Sequence, residues 1–159
     1  MFRILFVCHG NICRSPMAEF YMKDLLKKEG LSDRFEIASA ATTDDEIVNG
    51  VGNPVYPPAR RELMRHGISP DGKRAAVLTR EDYDKYDLIV GMDRENLGDM
   101  RRILGGDPEG KISLLLDHTA TPRDVADPWF TGDFRAAWID VERGCRALLD
   151  GILDTEKKA

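Results

Sequence analysis

The 159-residue sequence predicts one α/β domain, residues 1–159, with a parallel sheet covered by helices on both faces. Two observations predict this fold class. Short, continuous runs of apolar and β-branched residues alternate along the chain with longer segments of helical periodicity. Such continuous runs are typical of strands buried on both faces, and their alternation with helices favours right-handed crossovers between parallel strands.

The first half of the chain predicts two strands around a helix, followed by a long loop. The first strand is apolar and β-rich, and the turn signal Gly10-Asn11 separates it from the helix. Prolines and further turn signals fill the loop. The predicted elements are a strand at 2–7, a helix with Pro16 in its first turn that ends at Gly30, a strand at 35–39 and a surface loop at 42–58.

The second half continues the alternation and closes with a long amphipathic helix. Asp87-Leu88-Ile89-Val90-Gly91 has the composition of a third buried strand. The predicted elements are a helix through Arg60 and Leu63 that is closed by Gly67, a short helix at 80–86, a strand at 87–91, a helix at 94–104, a strand at 111–116, a loop at 117–133 and a helix at 134–153.

The bulk composition excludes several classes of protein. A net charge of −5 argues against a nucleic-acid-binding face, which needs basic residues to displace counterions from phosphates. The N-terminal apolar run at 4–7 is too short for a membrane span or a signal peptide. We therefore expect a cytoplasmic protein that binds neither nucleic acid nor membrane. No feature of the sequence indicates an oligomeric state.

The three cysteines are Cys8, Cys13 and Cys145, and their odd number argues against a disulfide framework. Their spacing matches no zinc ligand set, so we expect neither a metal ion nor a cofactor. Cys145 lies on the apolar side of the last predicted helix, which favours a core position. Cys8 and Cys13 are expected to be reduced and reactive.

Residues 8–16, Cys-His-Gly-Asn-Ile-Cys-Arg-Ser-Pro, follow the first strand directly. Ligands of parallel α/β sheets lie beyond the carboxyl ends of the strands, so a ligand is expected here. Gly10 and Asn11 tolerate left-handed backbone, which lets successive N–H groups point inward and form a cradle for an anion. The helix N-terminus and the planar fork of Arg14 add positive charge that suits a tetrahedral oxyanion such as phosphate.

Cys8 lies at the base of this predicted cradle. The inward N–H groups, the helix end and Arg14 all favour its thiolate, so a nucleophile would face a bound phosphorus atom. Ser15 is placed to donate a hydrogen bond to that sulfur. His9 is expected to contribute only its backbone N–H, with its side chain turned away.

These residues resemble the signature of a known protein family. The stretch from Val7 to Pro16 resembles the signature of the low-molecular-weight protein tyrosine phosphatases. The resemblance implies a sheet order of 2-1-3-4 and hydrolysis of phosphotyrosine in a protein or peptide, with release of phosphate, through a phosphocysteine on Cys8. It covers essentially the whole chain, and continues in order through Ser39-Ala40-Ala41-Thr42, His66-Gly67-Ile68, the stretch 87–93 and Asp127-Pro128-Trp129.

The resemblance also implies roles for individual residues. Asp127 corresponds to the family's general acid, and a phenolate does depart more readily when it is protonated. Composition alone leaves Asp117 and Asp124 of the same loop as alternatives. Asn11 is expected to hold the cradle through hydrogen bonds that involve Ser39. The phosphate-binding residues so implied are His9, Gly10, Asn11, Ile12, Cys13 and Arg14.

Aromatic residues wall the entrance of the site in this family, and Trp129 and Phe130 match one wall. Where many relatives have an aromatic residue opposite, the lengthened loop of this chain offers only Ile47 and Val48. Cys13 is either a packing residue or the partner that captures oxidised Cys8 in a reversible disulfide, and the resemblance favours the redox role.

The leading hypothesis is therefore a metal-free, cysteine-dependent phosphotyrosine phosphatase. An arginine-phosphate-specific branch of the family has threonine where this chain has Ile12, so Ile12 favours phosphotyrosine. A thiol-dependent arsenate reductase needs two further cysteines, and none lies between Cys13 and Cys145. A phosphopeptide- or anion-binding module without turnover is the non-enzymatic alternative, and the presence of both a nucleophile and an acid argues against it.

Overall fold

Six strands and six helices make up the computed structural model, which describes residues 1–158. The strands are β1 (Phe2–Cys8), β2 (Phe35–Ala41), β3 (Ile47–Val48), β4 (Val51–Gly52), β5 (Leu88–Gly91) and β6 (Ile112–Leu114). The helices are α1 (Arg14–Lys28), α2 (Pro57–Arg65), α3 (Asp82–Lys85), α4 (Arg94–Leu104), α5 (Pro128–Thr131) and α6 (Phe134–Lys158).

Four strands form one parallel sheet in the order β2-β1-β5-β6. Numbered as they follow along the chain, this order is 2-1-3-4, so the predicted fold class and strand order are confirmed. The register pairs Cys8 with Ala41, Val7 with Gly91, and Gly91 with Leu114. The carboxyl ends of all four strands therefore meet at one edge, and the loops that follow them converge there.

The sheet is buried on both faces, as its continuous apolar strands predict. Alternate residues of β1 point to opposite faces, so that Ile4 and Phe6 pack in one cluster and Leu5 and Val7 in another. The first cluster includes residues of α1, α2 and α6, and the second includes residues of α3 and α4. No helix within residues 1–158 is both long and apolar enough to cross a membrane.

The loop predicted at 42–58 is wrong in part, because it contains the β3–β4 hairpin, whereas the helix start expected at its prolines is present as the first turn of α2. Asn49 and Gly50 connect the two strands with φ angles of 52° and 77°, the left-handed backbone that tight hairpin turns require. A Cβ atom on Gly52 would lie 2.0 Å from the carbonyl oxygen of Ala75. The hairpin therefore packs directly against the segment that follows α2, with no room for a side chain at Gly52.

Boundaries of several other elements differ from the sequence prediction, most of all at the fourth strand and the last helix. The fourth strand ends at Leu114 because the chain turns into a 3₁₀ helix at Leu115–His118. The last helix continues to Lys158 rather than stopping at 153, and the loop before it contains the short helix α5.

Gly144 on α6 gives a direct test of the packing between this helix and the sheet layer. A Cβ atom there would lie 2.4 Å from Cγ of Leu115, a fully buried side chain. We expect Gly144→Ala to lower the free energy of unfolding by about 1–2 kcal/mol, because overpacking outweighs the gain in helix propensity. Urea denaturation measures this difference.

Gly151→Ala is the matched control, since it lies on the same helix with open space at its Cβ position. It should raise the free energy of unfolding by about 0.5–1 kcal/mol through helix propensity alone. Equal stabilisation by the two substitutions would contradict the packing described here.

Candidate active site

The loop between β1 and α1 forms a cradle at the carboxyl edge of the sheet. Asn11 has a φ angle of 60°, which places it in the left-handed region. At Gly10 the loop lies close to the side chain of Glu46, since a Cβ atom there would lie 3.2 Å from Cγ of Glu46. The backbone carbonyls of Cys8 and His9 accept hydrogen bonds from Thr42 and Thr43, which fasten the loop to the end of β2.

Cys8 lies at the bottom of this cradle with only 3% of its surface exposed. Its Sγ atom lies 3.0 Å from Oγ of Ser15 and 3.4 Å from the backbone nitrogen of Ser15. The backbone N–H of Ser15 thus donates to the sulfur, and the Ser15 hydroxyl lies within hydrogen-bond distance of it.

Asn11, Ser15 and Ser39 form a continuous hydrogen-bonded network behind the loop. Nδ2 of Asn11 donates to Oγ of Ser15 at 2.8 Å and to Oγ of Ser39 at 2.9 Å. Oδ1 of Asn11 accepts from the backbone nitrogen of Ala76 at 3.1 Å. The structure therefore brings together the three residues that the sequence analysis placed in support of the loop.

The network ends at charged residues that the sequence analysis missed. Ser39 donates from Oγ to Oε1 of the buried Glu19 at 2.5 Å, and its carbonyl oxygen accepts from Nζ of Lys73 at 3.0 Å. Nζ of Lys73 lies 3.6 Å from Oε1 of Glu19. Burial lowers the pKa of Lys73, and the carboxylate of Glu19 opposes that shift.

Arg14 is the most buried charged group at the site, with 2% of its side chain exposed. Its Nη1 atom donates to Oδ2 of Asp93 at 2.7 Å and to the carbonyl oxygen of Val125 at 2.8 Å. Its Nη2 atom lies 3.3 Å from Oδ2 of Asp127. Burial by itself lowers the pKa of Arg14, but the negative charges of Cys8, Asp127 and Asp93 outweigh it and raise that pKa above its ordinary value.

Asp127 lies at the start of α5, where its Oδ1 atom accepts a hydrogen bond from the backbone nitrogen of Trp129 at 3.0 Å. About a quarter of its side chain is exposed, at 23%. The two other candidate acids face elsewhere: Asp124 accepts from the backbone nitrogen of Arg94, and Asp117 from that of Leu114. Of the three, only Asp127 lines the cavity above Cys8.

A cavity of about 380 Å³ opens above the cradle. Trp129 and Phe130 line one side and are 55% and 84% exposed, and Trp129 packs on Tyr56 with ring centroids 4.9 Å apart. Ile47 is not among the lining residues, because its partly buried side chain packs against the core. The full lining is Cys8, His9, Gly10, Ile12, Cys13, Arg14, Asp45, Glu46, Asp127, Trp129 and Phe130.

Two carboxylates occupy the side of the cavity where the sequence analysis placed Ile47. Asp45 and Glu46 both line it, and Oδ2 of Asp45 lies 2.7 Å from Nε2 of His9. The His9 side chain thus takes part in the rim, in addition to its place in the loop. The acidic run that precedes the hairpin is visible in the sequence. Whether its side chains face the cavity, however, depends on the tertiary fold.

The two remaining cysteines are both buried thiols. Cys13 lines the cavity at the start of α1, and burial together with the negative charges of Cys8 and Asp127 raises its pKa. Cys145 is fully buried in the core beneath α1, as its apolar surroundings in the sequence predict. Within residues 1–158, no group of three or more acidic, histidine or cysteine side chains is arranged to hold a metal ion.

The parallel α/β fold thus carries a buried thiol, with Arg14 and Asp127 beside it, at the carboxyl edge of its sheet. The family model described as low molecular weight phosphotyrosine protein phosphatase matches residues 3–159. The chain therefore belongs to this family of protein-tyrosine phosphatases, which are hydrolases.

Individual relatives agree with this assignment. The chain is 40% identical over 154 residues to the low molecular weight protein-tyrosine-phosphatase YfkJ of Bacillus subtilis, covering 96% of each chain. It is 35% identical over 152 residues to the human low molecular weight phosphotyrosine protein phosphatase, covering 92% of this chain and 93% of the relative.

Solved structures show the same fold. The crystal structure of Bacillus subtilis YfkJ superposes with a TM-score of 0.92 at 38% identity, covering 98% of this chain and 96% of that one. The Drosophila arginine phosphatase superposes with a TM-score of 0.82 at 30% identity, covering 94% of this chain and 96% of that one.

Proposed function

We propose that this protein hydrolyses phosphotyrosine in proteins or peptides, and small aryl phosphates, through a covalent phosphocysteine on Cys8. The observation that carries the proposal is the position of the Cys8 sulfur, at the bottom of an anion-binding loop and beneath a cavity that also contains Asp127. A nucleophile and a proton donor thus face the same space, which is the arrangement that two-step phosphoryl transfer requires.

In the first step, the Cys8 thiolate attacks the phosphorus atom from the side opposite the tyrosyl oxygen. A sulfur–phosphorus bond forms as the phosphorus–oxygen bond breaks, and the carboxyl group of Asp127 gives its proton to the departing phenolate oxygen. The 23% exposure of Asp127 at the cavity wall supports this role, because the group is within reach of both substrate and solvent.

Arg14 stabilises the charge on the equatorial oxygens of the transferring group. Both hydrogens of its Nη1 atom are engaged, by Asp93 and by the Val125 carbonyl. The Nε–H and Nη2 donors therefore remain as the fork that binds two phosphoryl oxygens. Because the fork is fixed before the substrate arrives, little reorganisation is needed at the transition state.

In the second step, a water molecule attacks phosphorus and the carboxylate of Asp127 accepts its proton. The sulfur–phosphorus bond breaks, phosphate is released, and the Cys8 thiolate is restored. The Ser15 hydroxyl, 3.0 Å from the sulfur, supports the thiolate as the leaving group in this step.

Phosphotyrosine fits the cavity better than short phosphoresidues do, because aromatic side chains line the way to the cradle. Trp129 and Phe130 offer flat surfaces to a phenyl ring. The buried Ile12 lines the same cavity and favours an aromatic ring over a charged guanidinium. Phosphoarginine is the alternative to include in any substrate panel, because the Drosophila arginine phosphatase shares this fold.

Cys13 is proposed as the partner that protects Cys8 from irreversible oxidation. Both thiols line one cavity and both are free. A peroxide would oxidise Cys8 to a sulfenic acid, and attack by Cys13 would then form a disulfide and release water. A thiol nucleophile of this kind suits a reducing compartment, which supports the cytoplasm as its location.

The proposed function is tested by release of phosphate from a phosphotyrosine peptide. The wild-type protein should release phosphate without added metal, and Cys8→Ser should lose at least 10³-fold in kcat, because serine is a far weaker nucleophile at its ordinary pKa. Cys145→Ala, which removes a thiol outside the cavity, is the control and should retain turnover. Turnover by Cys8→Ser at the wild-type rate would refute the mechanism.

The acid role of Asp127 is tested by a series of aryl phosphates with leaving groups of different basicity. Asp127→Asn keeps an N-cap for α5 but has no proton to give, so kcat should fall about 10²-fold for phenyl phosphate and much less for p-nitrophenyl phosphate. Asp124→Asn serves as the control from the same loop. A uniform loss across the series in Asp127→Asn would assign the acid role to another group.

A further inference from the structure

A second, smaller cavity adjoins the one above Cys8. Its volume is about 170 Å³, and it shares His9, Arg14, Asp127 and Phe130 with the larger cavity. Asp93, Glu95 and Asn96 complete its lining. A substrate that places its phosphotyrosine in the larger cavity would therefore have neighbouring residues beside or above the smaller one.

Among the residues that line the two cavities, acidic side chains outnumber basic ones. Their only basic side chains are those of Arg14 and His9, whereas they contain five carboxylates. The guanidinium of Arg14 is 2% exposed and held at the bottom of the site, so it presents little positive charge to groups outside. The carboxylates are Asp45, Glu46, Asp93, Glu95 and Asp127.

Two of these carboxylates remain available to a substrate. Asp93 and Asp127 are engaged by Arg14, and Glu46 accepts from Nδ2 of Asn53 at 2.7 Å. Asp45 is 62% exposed and uses one oxygen, Oδ2, in its contact with His9. Glu95 is exposed, and no hydrogen bond or ion pair joins its side chain to the rest of residues 1–158.

The two available carboxylates line different cavities and belong to different parts of the chain. Asp45 lines the larger cavity and lies in the loop before the β3–β4 hairpin, whereas Glu95 lines the smaller one and lies in the first turn of α4. A peptide that extends from the phosphotyrosine over either cavity therefore meets a negative charge. Phe130, 84% exposed and common to both cavities, offers an apolar surface to the aliphatic stem of a lysine or arginine and a ring face to its charge.

We propose that this enzyme selects phosphotyrosine flanked by lysine or arginine, with Glu95 and Asp45 as the specificity-determining residues. The inference rests on the proposed function and names its substrate class. Attraction of a flanking cation and repulsion of a flanking carboxylate act in the same direction, so both contribute to discrimination. The bound anion itself is recognised deeper in the site, by the loop N–H groups and Arg14.

The experiment compares three substrates of the wild-type enzyme: N-acetyl-phosphotyrosine amide, a phosphotyrosine peptide with lysines on both sides, and the same peptide with glutamates there. At low salt kcat/KM should be about tenfold higher for the lysine peptide than for the glutamate peptide, because exposed charges steer association. The ratio should approach one in 1 M NaCl, where the Debye length is about 3 Å.

Charge-reversal variants test which residues cause the preference for the lysine peptide. Glu95→Lys and Asp45→Lys should each lower the lysine-to-glutamate ratio at least about threefold at low salt. Asp154→Lys makes the same change at an exposed carboxylate near the end of α6 that lines neither cavity, and should keep the wild-type ratio. Because the ratio is measured within each variant, a general loss of activity does not affect it.

The outcomes separate the two proposals. Failure to hydrolyse N-acetyl-phosphotyrosine amide would refute the proposed function itself. Hydrolysis of that substrate with equal kcat/KM for the two peptides would refute the selectivity and leave the chemistry intact. A wild-type ratio retained in both Glu95→Lys and Asp45→Lys would overturn the assignment of these residues.

Discussion

The guanidinium group of Arg14 joins the loop after β1 to the segments that follow β5 and β6. It belongs to the first turn of α1, and it bonds to Asp93 after β5, to the Val125 carbonyl in the segment after β6, and to Asp127 at the start of α5. Removing one partner of a buried, paired charge typically costs about 3–5 kcal/mol. The positions of the cradle and of Asp127 are therefore coupled through one side chain.

A second constraint fixes the direction of proton donation toward Cys8. The amide of Asn11 is oriented by the Ala76 N–H, which binds its oxygen, so its nitrogen must donate to both Ser15 and Ser39. The Ser39 hydroxyl donates its own hydrogen bond to Glu19. The Ser15 hydroxyl then retains its proton for the Cys8 sulfur, which is the polarity that a thiolate nucleophile needs.

The sheet explains why residues so distant in sequence meet at one site. All four parallel strands end at the same edge, where Cys8 is the last residue of β1 and the segments after β2, β5 and β6 supply Thr42, Asp93 and Asp127 respectively. The helix that follows β1 begins at Arg14, so its N-terminus points at the same place. Local sequence places each loop, and the parallel topology brings the loops together.

Much of this arrangement could be predicted from the sequence, since the strands, the main helices and the stretch from Cys8 to Pro16 have strong local patterns. The β3–β4 hairpin was missed because strands of two residues have no periodicity, although Asn49-Gly50 is a hairpin signal. Glu19 and Lys73 could not be assigned from sequence, because a charged residue on a helix or loop is normally exposed. Only the tertiary fold buries them behind Ser39.

Rapid-quench analysis of the enzyme with an aryl phosphate tests the central claim most directly. In the first turnover, acid-quenched samples digested to peptides should contain a phosphoryl group on the peptide with Cys8, and it should form and decay at rates compatible with steady-state turnover. The same analysis is made on a variant whose second step is slowed, in which the intermediate should accumulate. Release of phosphate by both enzymes with no phosphorylated Cys8 peptide at any time point would contradict the account.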